Sequence, residues 1–292
     1  MNYKTVLVHL DQAPRCDDRI KLAAQISQHF DSHLIGAAMT GISRYVFNRA
    51  EFDLTDPVFS HHRDHLRQHA RDVLQHFEHV VTSIGVDSVE SRVVDDDAAG
   101  GMVLQSRYAD LTVIGQFDAT ATIPGVISDL PELVVMGSGR PVLIVPHSGQ
   151  PAYPFQRVLV AWDGGLSASR AVSLALPFLS RASSVDVVVM QTGDKKDDAH
   201  GEQPGADLGL FLARHNIKVN VIERPIQGDA GEALLSIAAD LNTDLIVMGG
   251  YGHTRFRELL LGGVTRTLQQ SMTVPVLMAH RNRNMPWPRC CS

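Results

Sequence analysis

Cysteine is scarce: three residues in 292, Cys16, Cys290 and Cys291, do not make a disulfide framework. A reducing cytoplasm is the expected compartment. No apolar run approaches the roughly 20 residues needed to span a bilayer, so no membrane role is expected. Basic charge is not in excess either. Lys and Arg number 26 against 32 Asp and Glu, a net charge of −6, and no basic stripe appears. Nucleic acid is therefore not an expected partner. Also missing are GxxxxGK(S/T), GxGxxG, the Gly-x-Ser-x-Gly elbow and CxxC. The opening MNYKTVLVHLD carries an early Asp and reads as a strand, not as a signal peptide.

What is present is a repeat. TVLVHL (Thr5 to Leu10) is closed by Asp11, and RVLVAW (Arg157 to Trp162) is closed by Asp163, 152 residues later. Asp110 with Asp244, Gly115 with Gly249, and Pro141 with Pro275 are each 134 apart. The change of 18 between the offsets fits extra length in the first copy, between its second and third strands. Helical spacing of Ile20, Leu22, Ala23 and Ile26 predicts a helix over Asp17 to Phe30. Leu34 to Met39 reads as a strand, Thr40 to Pro57 as an insertion, and His61 to Val81 as a long helix with a polar face. A strand over Val86 to Val94, a helix over Gly100 to Tyr108 and strands at Leu111 to Ile114 and Pro141 to Val145 complete the copy. Short strands alternating with helices predict a parallel α/β sheet.

The expected fold is two tandem doubly wound α/β domains, each a Rossmann-like, five-stranded, mostly parallel sheet between helices. The boundaries expected are 1–147 for the first domain, 148–155 for a linker, 156–281 for the second domain and 282–292 for a mobile tail.

The second copy carries a glycine-rich stretch, MGGYGHTRFRELLLGGVT, from Met248 to Thr265. It follows an apolar strand, Leu245 to Met248, and leads into a helical segment, Val264 to Gln270. Glycine allows close backbone approach to a ligand and positive φ. Several N–H groups with a helix N-terminus behind them form an anion site. The spacing, Gly249, Gly252 and Gly262, is Gly-x2-Gly-x9-Gly. It resembles the nucleotide-binding signature of the universal stress protein family, which more often has Ser or Thr where this chain has Gly263. The departure removes a phosphate-binding hydroxyl and leaves the backbone N–H. Thr265 is the candidate for a displaced hydroxyl.

The resemblance implies the fold described above, classed with adenine nucleotide alpha-hydrolase-like domains, and an adenine nucleotide as ligand: ATP, or AMP or ADP, with Mg2+ accompanying it. It implies adenine and ribose contacts from Ala161-Trp162-Asp163 and from the Met190-Gln191-Thr192 loop. It implies phosphate contacts from Gly252, His253, Gly262, Gly263 and Val264, with Met248 and Gly249 leading into the loop. Asp163 is also a candidate cap of the following helix. His253 and Arg255 can each neutralise a phosphate or simply be solvated. The family often pairs through its last strands, here Pro141 to Val145 and Pro275 to Ala279, so an intramolecular pseudo-dimer is expected, with a homodimer as a further step.

By the 134 offset the first copy has Asp118, Ser128 and Asp129 where the second has Gly252, Gly262 and Gly263. Carboxylates repel phosphate, and added β-carbons hinder backbone approach. The first copy is read as a degenerate partner, the second as the nucleotide site. The function expected is a cytoplasmic stress regulator or sensor that binds adenine nucleotide. A slow ATPase and a nucleotide-independent interaction protein are the alternatives, and no catalytic residue is assigned. Of the remaining clusters, His61, His65 and His69 share one helical face but are read as solvated rather than metal-binding. Asp95 is aligned by the repeat with Asp229 and read as a helix cap.

Overall fold

The computed structural model describes residues 2–43, 57–118, 129–151, 153–191, 205–225, 228–250 and 264–280. The first half runs β1 (Thr5–Leu10), α1 (Cys16–Phe30), β2 (His33–Met39), α2 (Pro57–Ile84), β3 (Val89–Val94), α3 (Ala98–Ser106), β4 (Leu111–Gly115), α4 (Leu130–Ser138) and β5 (Val142–Val145). The second runs β6 (Arg157–Trp162), α5 (Leu166–Leu179), β7 (Ser184–Gln191), α6 (Ala206–Arg214), β8 (Val219–Pro225), α7 (Ala230–Asp240), β9 (Leu245–Gly249), α8 (Val264–Ser271) and β10 (Val276–Ala279). The Thr40 to Pro57 insertion falls almost entirely outside the described residues, as does the 282–292 tail.

The strands form one sheet in the order β3-β2-β1-β4-β5-β10-β9-β6-β7-β8. Within each half all neighbours are parallel. The halves meet where β10 pairs antiparallel with β5, Leu277 opposite Leu143. These are the last strands of the two copies. Every strand of one half therefore runs against every strand of the other, and their carboxyl edges lie at opposite edges of the sheet.

Both faces of the sheet are covered, which is why its strands read as continuous apolar runs and not as alternating ones. Val6 and Val8 pack with Ile20, Phe77, Val172 and Leu212 on one face. Leu7 and Ile246 pack with Met102, Val134, Leu234 and Leu268 on the other. Aromatic rings tie the halves together on the first face. Tyr3 stands 5.0 Å from Phe178, Phe30 stands 5.7 Å from Phe178, and the Tyr3 hydroxyl donates to the Leu174 carbonyl at 2.8 Å.

The same side chains repeat the same local work. Asp110 accepts from the N–H groups of Lys4 and Thr5, and Asp244 accepts from those of Gln156 and Arg157. Each carboxylate thus ties the start of a central strand to its neighbour. The extra length of the first half is in the expected place: α2 has 28 residues where α6 has nine. One alignment needs correction. The N-cap of α7 is Asp229, accepting from Gly231 and Glu232, but its counterpart on α3 is Asp97, accepting from Gly100. The 134 offset slips to 132 there because α3 has nine residues and α7 has eleven. Asp95 instead receives the Arg67 guanidinium through Nε at 3.0 and 3.1 Å and through Nη2.

Candidate functional site

In an open parallel sheet, ligands meet the loops beyond the carboxyl ends of the strands. In the second half those loops follow β6, β7 and β9. Register brings them to one edge: Ala161 lies opposite Met248 across β6 and β9, and Trp162 opposite Val189 across β6 and β7. Ala161 is buried, and Trp162 is half-buried with its ring packed on the α5 face of the core. Met248 is also a core side chain, packed on the opposite face, so it can offer a ligand its backbone alone. Gln191 ends β7, and its side chain lies outside the described residues.

Asp163 follows β6. Its Oδ1 accepts the Gly165 N–H at 2.8 Å, closing a turn two residues long. The N-cap of α5 is Gly165, not Asp163, so the carboxylate braces the loop that enters the helix without capping it. Among the described residues no cation stands within ion-pair distance of it. The second carboxylate oxygen is the one available to a ligand.

Gly249 has a reason to be glycine that sequence spacing did not show. A β-carbon there would stand 2.5 Å from the Ala168 N and 2.8 Å from the Ser167 carbonyl carbon. The first turn of α5 packs directly on the end of β9, backbone against backbone. Beyond it Gly250 donates to the Ala279 carbonyl, and its own carbonyl lies 2.8 Å from Nδ1 of His280. Gly252, His253, Arg255, Gly262 and Gly263 lie outside the described residues. The chain returns at Val264 and Thr265, the first two residues of α8, whose side chains are likewise not described.

The first half has the same carboxylate hydrogen bond, on a turn without the left-handed residue of Gly164, and a different filling. Asp11 Oδ1 accepts the Ala13 N–H at 3.0 Å, as Asp163 does from Gly165. Arg19, only 2% exposed, donates from Nη2 to that same Asp11 oxygen at 2.7 Å, from Nε to the His9 carbonyl at 2.7 Å, and from Nη2 to Cys16 Sγ at 3.3 Å. Its Nη1 lies against Gly115, where a β-carbon would come within 2.3 Å. Burial pushes the Asp11 carboxyl up, but the Arg19 guanidinium outweighs it and holds the group at about 2. Burial drives His9 down to about 4, against the pull of Asp11. His9 is thus neutral at pH 7, and its 3.5 Å approach to Asp11 is not an ion pair. The cleft left outside is lined by Pro14, Arg15, Arg19, Gly115, Gln116 and His147.

By the 152 offset, His9, Cys16 and Arg19 answer to Ala161, Ala168 and Ala171. Three alanines thus take the places of three functional side chains. Sequence reasoning passed over this cluster. The available signal was Arg19 itself, a charge three and four residues before Leu22 and Ala23 on the apolar face of α1.

A chain built from two such α/β units, joined through their last strands and with ligand loops at their carboxyl edges, has known counterparts. Residues 154–280 match the model of the universal stress protein family. A universal stress protein of Mycobacterium tuberculosis is 25% identical over 296 residues, covering 95% of this chain and 96% of the relative. One from Synechocystis is 27% identical over 172 residues, covering 58% of this chain and 57% of that protein. The crystal structure of a universal stress protein from Archaeoglobus fulgidus superposes with a TM-score of 0.71 at 18% identity, covering 96% of this chain and 97% of the other. Residues 154–280 match the universal stress protein family, the chain as a whole is similar to a universal stress protein over nearly its full length, and its structure carries the α/β unit twice.

Proposed function

We propose that the second half binds an adenine nucleotide at the carboxyl edge of β6, β7 and β9, and that the protein acts as a nucleotide-dependent regulator or sensor in a stress response. The observation that carries this reading is Asp163. It keeps the hydrogen bond that Asp11 keeps, but Ala171 stands where Arg19 neutralises the first carboxylate. A carboxylate at the end of a central strand, with no internal cation on it among the described residues, is chemically suited to accept a ribose hydroxyl.

The rest of the fit is consistent. Alanines at 161, 168 and 171 replace the larger side chains of the first half. The start of α8 offers Val264 and Thr265 N–H groups to an anion, since the first N–H groups of a helix have no internal partner. The glycines at 252, 262 and 263 would let the loop backbone follow the phosphates, with His253 beside them. Mg2+ would enter with the nucleotide, held mainly by its phosphates.

The test is calorimetric titration of the full chain with ATP, ADP and AMP at fixed salt. One nucleotide per chain is expected. Gly252→Asp copies Asp118 of the first half, and should lower affinity at least about a hundredfold with the melting temperature unchanged, through a β-carbon and a charge placed against phosphate. Asp163→Ala should cost about 1–3 kcal/mol of binding. Two equivalent sites per chain, or wild-type affinity in Gly252→Asp, would overturn the assignment.

A further inference from the structure

The first half holds a feature the nucleotide reading does not use. On α2, the Nε2 atoms of His65 and His69 stand 3.0 Å apart, with the rings at 82° to each other and their centroids 4.4 Å apart. Both side chains are exposed. His69 Nδ1 lies 3.1 Å from the side-chain amide of Gln12, in the loop just past Asp11. At 3.6 residues per turn His61, His65, His69 and His76 fall in a sector about 80° wide, and Arg63, Arg67 and Arg71 fall outside it. The guanidiniums have other occupations: Arg67 holds Asp95, Arg71 reaches Gln68, and Arg63 approaches Asp64. The arginines of the helix therefore leave the imidazole face to itself.

The geometry points to a divalent transition-metal site on His65 and His69, for an ion that prefers ligands at right angles, such as Ni2+ or Cu2+. Metal–imidazole bonds are about 2.0–2.1 Å, so two nitrogens 3.0 Å apart subtend about 91–97° at a shared ion. That is near the cis angle of a tetragonal or octahedral ion and is narrower than a tetrahedral one. Both nitrogens are Nε2, the atoms at the tips of the rings. Without metal, one ring donates Nε2–H to the lone pair of the other. With metal, both lone pairs turn to the ion and each ring carries its proton on Nδ1.

Gln12 serves both states. Its amide nitrogen donates to a bare Nδ1 of His69, and after a flip its amide oxygen accepts Nδ1–H. Such an outer partner orients a ligating histidine and raises its basicity. The remaining coordination positions face solvent and would hold water. The pair belongs to the long helix with which the first half exceeds the second, and Gln12 ties it to the carboxyl edge of β1. That edge is the first half's counterpart of the one assigned to nucleotide, so the two halves would serve different ligands.

The experiment uses the untagged full chain with those thiols that react in the native protein alkylated, so that they do not compete; Cys16 is buried. Titration with Ni2+ is expected to show one ion per chain. His65→Ala and His69→Ala should each weaken binding by at least about tenfold. His79→Ala should leave it unchanged, and Gln12→Ala should give a smaller loss. Bound to Cu2+, the wild type should show coupling to two equivalent imidazole nitrogens in its electron paramagnetic resonance spectrum, and His65→Ala to one. Circular dichroism checks that each variant is folded, and His65→Gln gives a second removal of the ligand. Absence of binding, equal binding in His65→Ala and wild type, or coupling to a single nitrogen in the wild type would overturn the proposal.

Discussion

The turn after β1 and the turn after β6 share one carboxylate hydrogen bond and differ in what else binds the carboxylate. Asp11 and Asp163 each accept an N–H two residues on. Only Asp11 is also bound by a buried arginine. One carboxylate of the repeat forms a buried ion pair, and the other has no cation on it among the described residues. Burying the Arg19 charge is costly, and Asp11, the His9 carbonyl and Cys16 supply its compensation. The first half stabilises itself with the edge at which an open α/β sheet ordinarily receives a ligand.

The comparison is broken most sharply at the carboxylates themselves. Asp11→Ala leaves Arg19 charged and buried, and should destabilise the protein by about 3–5 kcal/mol. Asp163→Ala removes one turn hydrogen bond, and should cost about 1 kcal/mol in the absence of nucleotide. Urea denaturation of both variants reads the difference. Equal losses would show that the ion pair carries no special weight.

Acid should act next, and through the first half. His9 is held near 4 when folded, against about 6.5 when unfolded, so the unfolded chain takes up its proton first as pH falls. Its contribution is fully present above about pH 6.5 and is lost as pH falls to about 4, some 3 kcal/mol in all. Asp11, at about 2 folded and about 3.9 unfolded, extends the loss from about pH 4 down to 2. His9→Ala copies Ala161 of the second half and should flatten the first of these slopes while sparing the second. An unchanged profile between pH 6.5 and 4 would reject His9 as the titrating group.

A smaller effect separates the paired glycines. Gly249→Ala places a β-carbon against the backbone of α5, and should cost about 1–3 kcal/mol with no side chain able to yield. At Gly115 the obstacle is the Arg19 guanidinium. The penalty of Gly115→Ala should therefore shrink in an Arg19→Ala background, whereas that of Gly249→Ala should not. Thermal melts of the double-mutant cycle measure this coupling, and additivity at Gly115 would show that the two residues do not compete for space.

Much of the fold was readable from residues alone, because buried parallel strands leave unbroken apolar runs such as TVLVHL and RVLVAW, and a duplicated unit repeats its landmarks. Asp110 and Asp244 stand at the same offset and do the same work. The repeat misled where helices differ in length: a fixed offset put Asp95 opposite Asp229, but the cap is Asp97. For the site, Asp163 and the glycine spacing pointed to the carboxyl edge of β6 and β9 as the place to propose a ligand, and Asp163 does stand at the end of β6. The reason for Gly249 was not, since its neighbour at Ala168 is eighty-one positions away in sequence. The Asp11–Arg19 pair was missed because periodicity marks apolar residues, and a charge on an apolar stripe is read past. The His65–His69 pair was visible as a spacing, but the facing of the two Nε2 atoms depends on rotamers.

Sequence by itself determined that this chain builds an α/β unit twice, because hydrophobic period and chain length leave a parallel strand few other structures to form. It also determined that the units differ, because Ala171 cannot do what Arg19 does. The direction in which their last strands pair was decided by the tertiary structure. β5 pairs antiparallel with β10, the slightly more stable of the two strand pairings, and Tyr3, Phe30 and Phe178 pack together between the halves. That pairing turns the two carboxyl edges to opposite edges of one sheet, so Asp11 and Asp163 lie at opposite edges.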